Sequence, residues 1–186
     1  MAPLPDHKIL REIEYGELEI ENFDKSQVQP CTVDIRLGND FKEYKKDCEY
    51  ASFNESISEL MKEVPVPTDD KILVRPGEFI LANTKEWFSI PDYLVGEVTG
   101  RSSIGRMGLT VHQTAGLFDP GFEGEGVLEI KNVSDVCIEL QPGMRIAQIK
   151  FTRLEGSSNQ PYGVGEDDKY QGQEGAVSSR IHKDIN

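Results

Sequence analysis

Seven consecutive residues, Gly100-Arg101-Ser102-Ser103-Ile104-Gly105-Arg106, hold the densest chemistry in the chain. They bring two hydroxyls, two guanidiniums and several unhindered amides together. A phosphate group is bound by such a set: backbone N–H dipoles, hydroxyl donors and a planar, forked cation. The serine pair after a strand-ending glycine also suits a helix N-cap, where the helix dipole favours anions. The same residues equally make a plain capped turn with surface arginines.

Three further segments carry groups that can react or bind. In His112-Gln113-Thr114-Ala115-Gly116-Leu117-Phe118-Asp119-Pro120-Gly121-Phe122, Asp119 is either a turn former ahead of Pro-Gly or a carboxylate held beside a ligand. His112, on an alternating strand, reads as a structural histidine. In Gly126-Val127-Leu128-Glu129-Ile130, alternation sets Val127 and Glu129 on one face and Leu128 and Ile130 on the other. Glu129 is then an exposed strand residue, or a pocket carboxylate able to act as acid and base. Tyr162 and the run Lys169-Tyr170-Gln171-Gly172-Gln173-Glu174-Gly175-Ala176 offer an aromatic, a cation and amides. Such a tail either closes over a ligand or is disordered.

The elements that must position these groups are mostly short strands. Residues Asp6 to Tyr15 form an amphipathic helix with Ile9, Leu10 and Ile13 on one face and Gly16 at its C-terminal end. Thr32 to Leu37 alternates as a strand, and Gly38-Asn39-Asp40 turns the chain. Residues 41–70 read as an insertion or long connection, with a helical patch at Ile57, Leu60 and Met61 and prolines at 65 and 67. Strands then follow at Ile72–Val74, Phe79–Ala82, Trp87–Ile90, Leu94–Val98, Val127–Ile130, Val136–Leu140 and Ile146–Phe151. That spacing points to an antiparallel sandwich or barrel. After Gly156 the chain turns Ser, Gly, Asn and Asp rich. Residues 1–156 therefore form one barrel domain with its helix, and 157–186 a flexible tail or lid.

Composition removes several classes of function. The formal charge of −13, from 33 acidic and 20 basic residues, excludes a duplex nucleic-acid binder, which needs a basic footprint. A nucleotide pocket needs only a few local cations. No apolar run approaches the roughly 20 residues that span a bilayer, and Pro3, Pro5 and Asp6 break the stretch a signal peptide requires. The expectation is a soluble cytoplasmic protein. Three dispersed cysteines, Cys31, Cys48 and Cys137, form no C-x-x-C and predict neither a disulfide framework nor a zinc site.

Taken in order, these segments resemble the dCTP deaminase family, a branch of the dUTPase superfamily. The resemblance runs from about Gln29 to the C-terminus. It rests on Pro30-Cys31-Thr32-Val33-Asp34, Gly100 to Arg106, His112 to Phe122, Val127-Leu128-Glu129, Pro142-Gly143-Met144-Arg145-Ile146-Ala147-Gln148, and Tyr162 with Lys169 and Gln173. It implies a mainly β, distorted jelly-roll barrel with a short N-terminal helix and a C-terminal lid. It implies a homotrimer with active sites between subunits, dCTP (and dUTP) as substrate, and magnesium bound through the triphosphate. Glu129 would activate water for attack at cytosine C4 and pass the proton toward leaving ammonia. Ser102, Arg106 and the Ala115 backbone would position water and base. Arg101, Ser102 and Ser103, with Ile104 and Gly105 between them and Arg106, would hold phosphates. Asp119 would meet the sugar 3′-hydroxyl, Val127 and Leu128 would flank Glu129 at the nucleotide, and Gln148, Tyr162, Lys169 and Gln173 would contact the triphosphate or close the lid.

Zinc cytidine deaminases carry H-x-E followed by P-C-x-x-C. Here Gln113 and Thr114 follow His112, and Pro30-Cys31 has no second cysteine three residues on. Deamination would then depend on a bare glutamate, positioned and desolvated. The Thr114-Ala115-Gly116-Leu117 stretch resembles bifunctional members, which form dUMP and pyrophosphate from dCTP; deaminase-only members carry Thr-Ala-His-Arg there. Gly116 would leave space for a water near the α-phosphate, and Asp119 would orient it. The alternatives are a deaminase releasing dUTP, a dUTPase, and a non-catalytic deoxynucleotide sensor on a barrel of versatile use.

Overall fold

The computed structural model describes residues 2–64, 66, 70–165 and 167–185. The N-terminal helix α1 (Asp6–Glu14) buries Ile9 completely, and Gly16 ends it with φ +71°. Eleven strands follow: β1 (Glu19–Ile20), β2 (Val33–Tyr44), β3 (Met61–Glu63), β4 (Ile72–Val74), β5 (Phe79–Ser89), β6 (Leu94–Gly100), β7 (Leu109–Thr110), β8 (Leu117–Phe118), β9 (Glu123–Asn132), β10 (Ile138–Leu140) and β11 (Arg145–Arg153). A one-turn helix, α2 (Ser102–Gly105), interrupts them after β6.

Nine strands make one curled antiparallel sheet in the order β7-β9-β5-β2-β11-β6-β8, with β1 on β5 and β3 on β2; β10 and β4 pair separately. The expected mainly β, curled barrel with a short N-terminal helix is the fold. Alternation explains the core. Val33, Ile35 and Leu37 of β2, Leu128 and Ile130 of β9, and Ile149 and Phe151 of β11 are buried in one contiguous cluster. Each such side chain contributes about 1.5–3 kcal/mol on burial.

Several sequence readings need correction. Gly38-Asn39-Asp40 does not turn the chain: β2 runs through it, with a register irregularity between Leu37 and Phe41. The glycine answers a close approach, since a Cβ at position 38 would lie 2.0 Å from Asn83 Oδ1. That oxygen accepts from the Asp40 N–H at 3.0 Å. The two strands expected at Phe79–Ala82 and Trp87–Ile90 are the single strand β5, whose register with β9 shifts between Asn83 and Trp87. Thr84 Oγ1 holds that irregularity, donating to the Glu86 carbonyl at 2.7 Å and accepting from the Gly126 N–H at 2.8 Å. The bulge turns Glu86 inward, where it is 1% exposed and bound by the Arg36 guanidinium at 2.7 Å and Gln27 at 2.9 Å. Residues 41–64 are not a free connection: they finish β2, make a 3₁₀ turn at Ile57–Leu60 and return as β3. The prolines at 65 and 67 lie outside the described residues.

The tail lies on the barrel. The Tyr162 N–H donates to the Pro120 carbonyl at 2.7 Å, and Gln173 forms a parallel bridge with Gly124.

Candidate active site

Strand β9 sets Glu129 as the alternation requires. Leu128 and Ile130 are buried in the core, while Val127 and Glu129 are half-buried on the other face. Glu129 Oε2 accepts from the backbone N–H groups of Gln113 at 2.8 Å and Thr114 at 3.2 Å. The Gln113 side chain binds Thr110 Oγ1 and reaches the Glu129 carbonyl at 3.4 Å. The loop after β7 thus fixes one carboxylate oxygen. The other has no hydrogen-bond partner among the described residues.

A cavity of about 520 Å³ opens beside this carboxylate, within the range of roughly 300–1,000 Å³ typical of small-molecule sites. Ala115, Leu117 and Asp119 line it from the β8 segment, and Tyr162, Lys169 and Gln173 from the tail. Tyr44, Ile57, Met61 and Leu81, which no sequence motif marks, give it an apolar wall. Leu81 is the direct cross-strand partner of Glu129, and Ile57 and Met61 pack with it. The signal was available in the helical patch at 57–61, but sequence gives no register that would bring that patch to Glu129.

The tail groups are each engaged. Burial pushes the Tyr162 phenol up from its ordinary pKa, and its oxygen accepts from the Tyr170 N–H at 2.9 Å. Lys169 is ion-paired with Asp184, whose carboxylate raises the ammonium pKa through their hydrogen bond. Gln173 Nε2 donates to the Glu125 carbonyl at 2.7 Å.

The other candidate residues sit elsewhere. Arg101, Ser102, Ser103, Ile104, Gly105, Arg106 and Gln148 do not line this cavity. Arg101 occupies the N-cap position of α2 without a side-chain cap bond, so the serines lie in the first turn rather than capping it. Ser102, Ser103 and Arg106 are exposed, and their side chains have no partner among the described residues. Ile104 is buried. Arg101 is anchored by Asp34, which is 1% exposed and bonds Arg101 Nε at 3.2 Å and Arg145 at 3.2 Å. Gln148 Nε2 donates to the Gly100 carbonyl at 3.5 Å.

Two details bear on the Thr114-Ala115-Gly116 stretch. A Cβ at Gly116 would lie 2.8 Å from the Val98 carbonyl, so in this backbone any larger residue there would force a shift against β6. His112 lies beyond β7, outside any strand, with Nδ1 buried and without a hydrogen-bond partner. Among the described residues no group of three or more His, Cys, Asp or Glu is arranged to hold a metal ion.

The family model described as dCTP deaminase-like matches residues 3–154. A dCTP deaminase of Haloarcula marismortui is 41% identical over 97% of this chain and 95% of its own length. A protein of Halobacterium salinarum named dCTP deaminase, dUMP-forming, is 41% identical with the same coverage. One of Beutenbergia cavernae with that name is 42% identical over 96% of this chain and 94% of its own. Among solved structures, the 2′-deoxycytidine 5′-triphosphate deaminase from Agrobacterium tumefaciens superposes with a TM-score of 0.64 at 21% identity, covering 80% of this chain and 46% of that one, and so shares the fold. With the family model covering most of the chain and relatives aligned along nearly all of it, the chain belongs to the dCTP deaminase-like family.

Proposed function

We propose that the chain deaminates dCTP without zinc and hydrolyses the triphosphate of the same nucleotide, forming dUMP, pyrophosphate and ammonia from dCTP and two waters. The observation that carries the deaminase reading is Glu129. One oxygen is fixed by two backbone N–H groups, and the residue borders a cavity of nucleotide size. The carboxylate takes a proton from water, whose oxygen bonds to cytosine C4. The C4–N bond then breaks, and Glu129 returns the proton to the departing ammonia. Geometry of this kind holds the water and the base in one place before reaction. Asp119, an exposed carboxylate of the cavity, orients the water that attacks the α-phosphate.

A magnesium ion carried by the triphosphate would neutralise part of its charge. As a hard cation it takes oxygen ligands, and the carboxylates of Asp119 and Asp167 on the cavity wall would hold it through its bound waters. The phosphate contacts come from Arg101, Ser102, Ser103 and Arg106 of another copy in a homotrimer. What supports sharing is the division of the candidate set between the cavity and a separate surface. The enzyme works in the cytoplasm on free nucleotide.

The names of the Halobacterium and Beutenbergia relatives favour dUMP formation. Gly116 by itself does not separate this reading from a deaminase that stops at dUTP, because its contact with the Val98 carbonyl gives it a packing role as well. The test of the deaminase reading is Glu129→Gln. Ammonia release should fall about 10²–10⁴-fold, the usual worth of a general acid–base group, while dCTP binding by calorimetry persists. Undiminished ammonia release would remove Glu129 from the reaction.

A further inference from the structure

The tail is tied to the start of β9 by backbone bonds and by side chains, one of them a carboxylate. Strands β5 and β9 lose their regular register between Asn83 and Trp87, and the backbone of β9 turns to the tail instead. The Glu125 N–H donates to the Gln173 carbonyl at 2.9 Å and the Gly172 N–H to the Glu123 carbonyl at 2.8 Å. Gly124, at φ +141°, permits this approach: a Cβ there would lie 2.9 Å from the Gln173 carbonyl oxygen. These are ordinary peptide bonds. The charged contact is the Glu125 carboxylate, whose Oε2 accepts from the Gly175 N–H at 2.7 Å and from Asn83 Nδ2 at 2.9 Å.

We propose that Glu125 is a positioning residue, a latch that docks the Gln173–Gly175 segment so that Lys169 and Gln173 stand in the cavity beside Glu129. Hydrogen bonds to an ionised acceptor are about twice as strong as neutral ones, and this acceptor serves the tail and the barrel through one oxygen. Asn83, 4% exposed, extends the tie. Its Oδ1 accepts from the Asp40 N–H at 3.0 Å, so the latch is braced by β2 and β5 as well as β9. The glycine at 175, at φ +71°, also leaves room for the Asp40 carboxylate, since a Cβ there would lie 2.9 Å from Asp40 Oδ2. The inference rests on the tail meeting the nucleotide, as proposed above. If docking is lost, the fraction of competent molecules falls and the apparent affinity falls with it, while the chemistry at Glu129 is untouched.

The experiment uses the full chain with Glu125→Val, which keeps a strand former but no acceptor, and Glu125→Gln, which keeps one acceptor oxygen for both donors. Gly175→Ala breaks the latch from the tail side, where it does not threaten the folding of the barrel. Two readouts are taken: the rate of tryptic cleavage after Lys169 under native conditions, and kcat and KM for dCTP. Glu125→Val and Gly175→Ala should each speed cleavage and raise KM by about tenfold, with kcat within about twofold of wild type. Glu125→Gln should stay within about threefold on both. Wild-type cleavage and KM in both latch-breaking variants would overturn the proposal, as would a fall in kcat at constant KM. Faster cleavage in a protein whose wild type does not turn over dCTP would uphold the latch and refute the nucleotide reading instead.

Discussion

Glu129 differs from the other carboxylates of the cavity in how it is held. Two backbone N–H groups of residues 113 and 114 fix one of its oxygens, so its rotamer is set by the loop after β7 rather than by another side chain. The Glu129→Gln test is therefore clean: the amide oxygen can accept the same two bonds, and only the proton acceptor is lost. Much of this was legible in the sequence, because period-two alternation alone puts Leu128 and Ile130 in the core and Glu129 on the opposite face. What alternation cannot show is what stands across the strand. The Leu81 wall and its backing by Ile57 and Met61 depend on register and on a loop-borne turn, and neither leaves a local pattern. Gly116 teaches the converse. Its residue type suggested space for a water, but the Val98 carbonyl gives a packing cause for the same glycine.

At the scale of elements, the arginine-bearing end of β6 is held by one buried carboxylate. Asp34 of β2, itself 1% exposed, joins Arg101 and Arg145, the latter on β11, whose side chains are about one-third exposed. Removing it leaves two partly solvated guanidiniums and not a buried charge, so Asp34→Ala should lower stability by about 1–3 kcal/mol in urea unfolding; an unchanged stability would mean that solvent screens both pairs. The N-terminal helix is tied on by Tyr93, whose hydroxyl donates to Glu12 at 2.9 Å. Burial first, then that hydrogen bond, pushes the phenol up to about 12. The folded state thus holds this proton more tightly than the unfolded chain, whose tyrosines titrate near about 10. The contribution is complete below that value and is lost as pH rises through about 12. Tyr93→Phe should flatten the alkaline fall in stability over this window, and an unchanged slope would place the titrating group elsewhere. Elements were read well where hydrophobic alternation was unbroken and poorly where side chains override local signals. Gly38-Asn39-Asp40 has turn-forming residues, yet Asn83 and the pairing of β2 with β5 carry the strand through.

At the scale of the molecule, the candidate residues divide into two sets. Glu129, Asp119, Tyr162, Lys169 and Gln173 share a cavity, whereas Arg101 to Arg106 and Gln148 lie outside it. Motif order along a chain says nothing about which residues share a cavity or which copy contributes them, so this division is not legible in the sequence. If the sets meet between copies, mixing Glu129→Gln with Arg106→Ala protomers after denaturation should restore roughly a quarter of wild-type activity by random assembly. No recovery would confine each site to one copy. None of the described helices is long and apolar enough to cross a membrane. The central claim meets its most direct test when the purified protein is incubated with dCTP and magnesium in the presence of a zinc-selective chelator, and the products are separated by anion exchange. The account predicts dUMP, pyrophosphate and ammonia in equal amounts without accumulation of dUTP, whereas dCTP recovered unchanged, with activity restored only by added zinc, would contradict it.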